Sequence, residues 1–225
     1  MNRKALTLVC ATLLSCSYAH GNLIVNGDFE AGATGFLTDY AQDANVSAVR
    51  TYTVSDTVPN GWAPGFGDHT SGSGLMAIYN ASTDATDVAW QQSVDLVAGA
   101  LYEFSFWATA LTESIRPGTS PIIRVSFGTN FKALTRTFRD IAVDDFWQQR
   151  AFRFAAPTTG SFDLSLLDTR GVASGDDFAL DDLSLVRTDV VVAVPEPSLL
   201  YLLVLGIILL SFMHRTHNRA NPGRE

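Results

Sequence analysis

The chain has 225 residues, with 15 Lys+Arg against 23 Asp+Glu, 47% hydrophobic residues and two cysteines. That length accommodates one domain with a sizeable core. The formal net charge of −8 argues against nucleic acid as a partner, because backbone binding depends on clustered Lys and Arg.

Residues 1–19 carry Arg3 and Lys4, an apolar stretch over 5–14, and then Ser17-Tyr18-Ala19. This is the layout of a secretory signal peptide, and it predicts His20 as the first mature residue. A rival cut precedes Cys16, since Leu13-Leu14-Ser15-Cys16 loosely resembles a lipoprotein signal. Cys10 and Cys16 both fall in this leader, so a cut after Ala19 leaves no disulfide, thiol nucleophile or cysteine metal site. An exported domain of this kind must rely on its apolar core and on any ion it binds. Residues 20–193 hold ten Arg/Lys and 21 Asp/Glu, a net of −11. Cations and neutral glycans suit that surface better than polyanions do.

In chain order, residues 22–29 open with a strand-like run and then Asn26-Gly27, a turn signal. A second strand is expected within 46–54. The loop from Pro59 through Gly65, Gly67, Gly72 and Gly74 is too rich in glycine for a helix interior. Strands follow at 75–79 and 88–96. The clearest alternation is at 101–111, where Tyr102, Phe104, Phe106 and Ala108 share one side and Glu103, Ser105, Trp107 and Thr109 the other. Further strands are predicted at 121–127, 133–138, 147–155, 161–166 and 178–186. Before residue 199 no stretch has a convincing 3.6-residue apolar period. The prediction is a mainly β fold, an antiparallel β-sandwich or barrel over 20–187.

Residues 188–197 read as a linker, with Pro195 and Pro197 opposing any helix. The apolar run 199–213 is 15 residues long, short against the usual ~17–25 for a spanning helix. Tyr201 and His214-Arg215 can extend it by interfacial anchoring and snorkelling. A buried core helix is the rival reading, but the run is apolar all round and has no polar face. One transmembrane helix is therefore expected over 198–213. The tail 214–225, with Arg215, Arg219 and Arg224, is then cytoplasmic and the sandwich lies outside.

Two constellations could carry chemistry. Gly27-Asp28-Phe29-Glu30 follows the first predicted strand, and Asp176-Asp177 and Asp181-Asp182 flank the last. Calcium takes six to eight oxygens and mixes carboxylates with backbone carbonyls. Asp181 shares parity with Ala179, Leu183 and Leu185 and so points inward, where an unpaired carboxylate is costly. The rival reading leaves these acids in solvent or pairs one with Arg153 or Arg187. The second constellation is aromatic: Trp62, Tyr79, Trp90, Trp107 and Trp147 could stack on a sugar-like ligand. Trp107, beside Glu103 and Ser105, and Trp62, in the glycine-rich loop, are the candidate ligand-binding residues; burial of both faces of the sheet is the alternative. No catalytic residues are assigned. The four histidines form no zinc pattern, Ser71-Gly72-Ser73-Gly74 lacks a nucleophile-elbow context, and neighbouring acids in sequence do not make opposed carboxylates across a cleft.

Val194-Pro195-Glu196-Pro197, the apolar run and Arg215 resemble the PEP-CTERM protein-sorting signal. That resemblance implies an exosortase-type processing enzyme as partner, transit through a bacterial inner membrane, and a host that makes exopolysaccharide. Residues 22–30 and 178–185 resemble the two ends of galactose-binding-like jelly rolls found in many carbohydrate-binding modules. This second resemblance implies a jelly-roll sandwich with a structural Ca²⁺ held by the Gly27 carbonyl and the Glu30 and Asp181 carboxylates. The expected function is that of a non-catalytic envelope or extracellular-matrix protein binding polysaccharide. A self-associating surface domain without a glycan ligand is the alternative, and a glycan-processing enzyme the least favoured reading.

Overall fold

The computed structural model describes residues 21–188 apart from 112–118, 129–134, 140, 142–145 and 173. The predicted signal peptide, Pro195, Glu196 and Pro197, the helix 198–213 and Arg215 lie outside the described residues. Among the described residues no helix is long and apolar enough to cross a membrane.

Ten strands are described: β1 (Ala41–Gln42), β2 (Thr51–Ser55), β3 (Met76–Asn80), β4 (Trp90–Leu96), β5 (Leu101–Ala110), β6 (Ile123–Phe127), β7 (Arg136–Phe138), β8 (Gln148–Ala155), β9 (Gly160–Asp168) and β10 (Phe178–Arg187). They form a six-stranded sheet, β1-β2-β3-β10-β5-β8, and a four-stranded sheet, β4-β9-β6-β7. Pairing is antiparallel except for the short β1–β2 pair.

Alternation places the core between the sheets. Tyr102, Phe104, Phe106 and Ala108 of β5 face Val125 and Phe127 of β6 and Leu164 and Leu166 of β9, all buried. Phe127 packs against Phe154 at 4.6 Å, and Tyr79 stacks on Phe178 at 4.8 Å. Burying each such ring contributes about 1.5–3 kcal/mol.

The six-stranded sheet is also covered on its outer side. Met76 and Ile78 of β3, Leu111 and Ala179 form a second apolar cluster with Val46, Val58 and Ala63, against which Trp62, Phe66 and Trp147 pack. The glycine-rich loop supplies much of that cover, and its first turn is a 3-10 turn at Pro59–Gly61.

Two sequence expectations change. Residues 23–26 form bends instead of a strand. They nevertheless run beside β10: Leu23 N donates to Leu185 O (2.8 Å), and the Asn22 side chain bonds Leu183 O (3.0 Å) and Leu185 N (2.8 Å). The parity argument for Asp181 also fails, because the register of β10 shifts between Asp181 and Ser184, with Asp182 at φ 48°. Leu183 and Leu185 join the inter-sheet core, whereas Ala179 belongs to the outer cluster and Asp181 pairs with the outward Trp107. Asp181 is buried, 1% exposed, but beneath the loop and not between the sheets.

Candidate functional site

The bulge in β10, the turn after Asn26 and the glycine-rich loop converge on a pocket of about 460 Å³. Asp28, Glu30, Asp68, Asp181 and Asp182 line it, with no Lys or Arg among the lining residues. Asp68 organises the loop: one oxygen accepts from Thr70 N (3.1 Å) and Ser71 N (2.9 Å), the other from Gly74 N (2.6 Å) and Ser71 Oγ (2.9 Å). Glu30 Oε1 accepts from Leu75 N at 2.8 Å. Asp181 accepts from His69 N and Asp182 N, each at 2.8 Å. Asp182 Oδ2 meets His69 Nδ1 and accepts from Thr70 Oγ1, both at 2.6 Å.

Burial pushes the Asp181 carboxyl up to about 7; the donors on it oppose this, and the charges of Asp182 and Asp68 reinforce it. Burial also raises Asp68, but hydrogen bonds from Ser71, Gly74 and Ser73 outweigh that and hold it below the usual carboxylate range. Burial thus disfavours the charged form of Asp181, a cost that a cation beside it would offset.

Of the three predicted metal ligands, Glu30 and Asp181 meet in this pocket. Gly27 does not line it; its carbonyl accepts from Leu183 N at 2.9 Å, and it borders a neighbouring pocket that Asp28 and Asp182 also line. Among the described residues no group of three or more His, Cys, Asp or Glu side chains is placed to hold a metal ion. The donor chemistry still fits calcium, because every candidate ligand is an oxygen. The approach is also glycine-dependent: a Cβ on Gly74 would collide with Glu30 Oε1 and lie 3.1 Å from Asp68. Asp68 was not singled out in the sequence. Its signal is local, an Asp followed by Thr70-Ser71 and glycines, the composition of a side-chain-capped turn.

The predicted ligand-stacking residues lie on the outer face of the six-stranded sheet. The His69 ring stacks on Trp107 with centroids 3.6 Å apart and planes 18° from parallel, so that face of the indole is covered. Trp62 is half-buried against the second apolar cluster. Trp147 donates Nε1–H to Gly67 O (3.0 Å) and packs on Phe66 at 5.2 Å. Tyr79 and Trp90 are fully buried. Tyr79 and Trp90 belong to the core between the sheets, whereas Trp62, Trp107 and Trp147 bind the loop to the six-stranded sheet.

A second concavity, about 580 Å³, runs over the outer face of the four-stranded sheet. Strand register aligns its lining in rows: Gln91, Ser165 and Ser126 in one, Asp163 in the next, opposite Ser93 at the margin, and Leu167 and Arg124 in a third. Ser165 Oγ donates to Gln91 Oε1 at 3.0 Å, and Ser93 Oγ donates to Asp163 Oδ1 at 2.5 Å. Its polar character follows from alternation, since Trp90, Val94, Val125, Leu164 and Leu166 take the inward positions. Apart from Phe162, itself buried, no aromatic residue lines it.

No protein family is matched by the sequence, and no curated protein matches it. Solved structures do match. A cyclase from Fischerella sp. TAU, in complex with 4-(1H-indol-3-yl)butan-2-one, aligns at TM-score 0.54 and 12% identity over 74% of this chain and 96% of that one. A family 16 carbohydrate-binding module aligns at 0.46 and 21% identity, over 74% of this chain and all of the module. The enzymatically active domain of tailspike protein 4 from bacteriophage CBA120 aligns at 0.49 and 14% identity, over 74% of this chain but only 21% of that one. At 12% identity the likeness to the cyclase is one of fold alone.

Proposed function

We propose that this chain is an exported, non-catalytic cell-envelope or extracellular-matrix protein whose sandwich binds a polysaccharide chain along the groove of the four-stranded sheet. The observation that carries the reading is the groove's lining: amide, hydroxyl, carboxylate and guanidinium groups in register on a rigid sheet. Such a surface offers a hydroxyl-rich polymer alternating donors and acceptors. The net charge disfavours nucleic acid. The carbohydrate-binding module named above shares the sandwich without lending its ligand. The tail motif supports sorting by an exosortase-type enzyme after transient anchoring in the inner membrane. Intact mass of protein recovered from its host tests this, since an unprocessed C-terminus would sink it. The acidic pocket supports a structural Ca²⁺, with Glu30 and Asp181 as carboxylate ligands and Asp68 beside them.

Affinity electrophoresis of the full-length protein through neutral and acidic polysaccharides tests the groove. Arg124→Ala should weaken binding at least about tenfold, because a hydrogen bond to a charged group contributes ~1.5–3 kcal/mol and ~1.4 kcal/mol is a factor of ten. Gln91→Ala should weaken it by less. Failure to bind any polymer would overturn the glycan reading and leave a self-associating surface domain.

A further inference from the structure

A second group of acids lies away from the acidic pocket. Asp168 closes β9 and Asp176 stands just before β10; both are 1% exposed. One oxygen of each is satisfied by the backbone. Ile122 N (2.9 Å) and Arg170 N (3.0 Å) donate to Asp168 Oδ1, and Val172 N donates to Asp176 Oδ2 at 3.1 Å. The remaining pair, Asp168 Oδ2 and Asp176 Oδ1, is buried without a hydrogen-bond partner, and the two carboxyl groups lie near enough to act on each other.

The surroundings do not neutralise them. Arg170 faces Asp168, but its Nε donates to Ser120 O at 2.9 Å. Asp177 accepts from Ala81 N at 2.9 Å and adds another acid. Tyr40 Oη accepts from Ser82 N at 3.1 Å, and burial keeps its hydroxyl protonated. Asp87, beyond Tyr40, is paired with Arg50 at 2.9 Å. Among the described residues no ion pair reaches Asp168 or Asp176.

We propose that Asp168 and Asp176 share a single proton between their unpartnered oxygens, and that this proton clasps the β9–β10 turn to the start of β6. One proton satisfies both atoms at once, as donor from one carboxyl and acceptor on the other. Two ionised carboxylates in buried contact would repel instead. Burial pushes Asp176 up to about 8, with the Asp168 charge reinforcing it, and burial raises Asp168 as well. A calcium ion is a poorer occupant, since it takes six to eight oxygens and only two carboxylate oxygens are free here. The clasp joins three segments: Ile122 at the entry to β6, Arg170 and Val172 in the turn, and Gly175, where a Cβ would come within 2.5 Å of Thr119 Oγ1.

The folded pKa lies above that of an ordinary aspartate, so the stabilisation is complete below the ordinary carboxylate range. It is lost as pH rises toward about 8. Over that window the shared proton makes the unfolding constant rise about tenfold per pH unit.

Denaturant unfolding of the full-length protein in detergent, with chelator and between about pH 5 and about pH 8, reads this slope. Asp176→Asn supplies a permanent amide donor in place of the proton. It should remove the pH dependence of one proton, Asp168→Asn should do the same, and the double variant should remove no more. Unchanged slopes in both single variants would overturn the proposal. So would a calcium-dependent stabilisation that survives in Asp181→Asn and disappears in Asp176→Asn, which would place a cation between the acids. Should these variants not fold, infrared spectra of Asp181→Asn decide. A protonated-carboxyl stretch present near neutral pH and lost in alkali supports the shared proton, and its absence near neutral pH overturns it.

Discussion

Excess chelator should lower the melting temperature of the full-length protein by about 5–10 °C, because an ion at ~100 times its dissociation constant stabilises by ~2.7 kcal/mol and each kcal/mol moves Tm by ~2–4 °C at this size. Asp181→Asn and Glu30→Gln should each abolish the difference between calcium and chelator. Gly74→Ala should do so too, by driving a methyl group against Glu30 and Asp68. The expectation follows from the charge of the pocket, where five carboxylates converge without a basic residue in the lining. Its pH dependence has a definite sign. Without the ion, burial lifts Asp181 to about 7, so the stability it contributes is greatest below the ordinary carboxylate range and is lost as pH rises through about 7. Calcium needs the ionised form, so its stabilising effect should grow over that same interval. Identical melting curves in calcium and in chelator above pH 7 would remove the ion from the account.

What the sequence made legible was whatever depends on period two. Tyr102, Phe104, Phe106 and Ala108 declared the inward face of β5 directly, and alternation in β6 and β9 supplied the opposing layer. The meeting of the chain's first segment with its last strand was also legible, through Asn22 to Phe29 and Phe178 to Leu185. The path of that meeting was not. A bulge at Asp182 inverts parity within β10, so Asp181 and Leu183 lie on opposite sides of one sheet. Period-two reasoning has no access to such a shift, because a one-residue slip exchanges the faces. Loop contacts were hidden for a related reason. The pairing of Asp68 with Gly74, or of His69 with Trp107, depends on how a glycine-rich segment folds over a sheet. Asp168 was not singled out in the sequence, and Asp176 stood there only among the candidate cation ligands; the absence of any donor on their inner oxygens is what marks the pair out.

Trp107→Ala should destabilise the domain by about 2–3 kcal/mol, less than the ~3–5 kcal/mol of a fully buried Trp, because the indole is only half-buried. Part of the loss is the stack on His69, since aromatic pairs contribute ~0.5–1.5 kcal/mol beyond area burial. The consequence should be local: residues 59–75 lose an anchor, and limited proteolysis should cut there first. His69 holds Asp181 through its backbone and Asp182 through its ring, so calcium affinity should fall as well. Trp107→Phe, which keeps an aromatic face under His69, should restore most of the stability. Polysaccharide affinity, measured below the melting transition, should not change in either variant if the ligand lies along Gln91, Ser165 and Arg124. A tenfold loss of binding in folded Trp107→Ala, with Arg124→Ala unaffected, would move the ligand to the six-stranded sheet. The loop would then have to leave Trp107 before sugar could stack there, because one face of the indole is covered by His69.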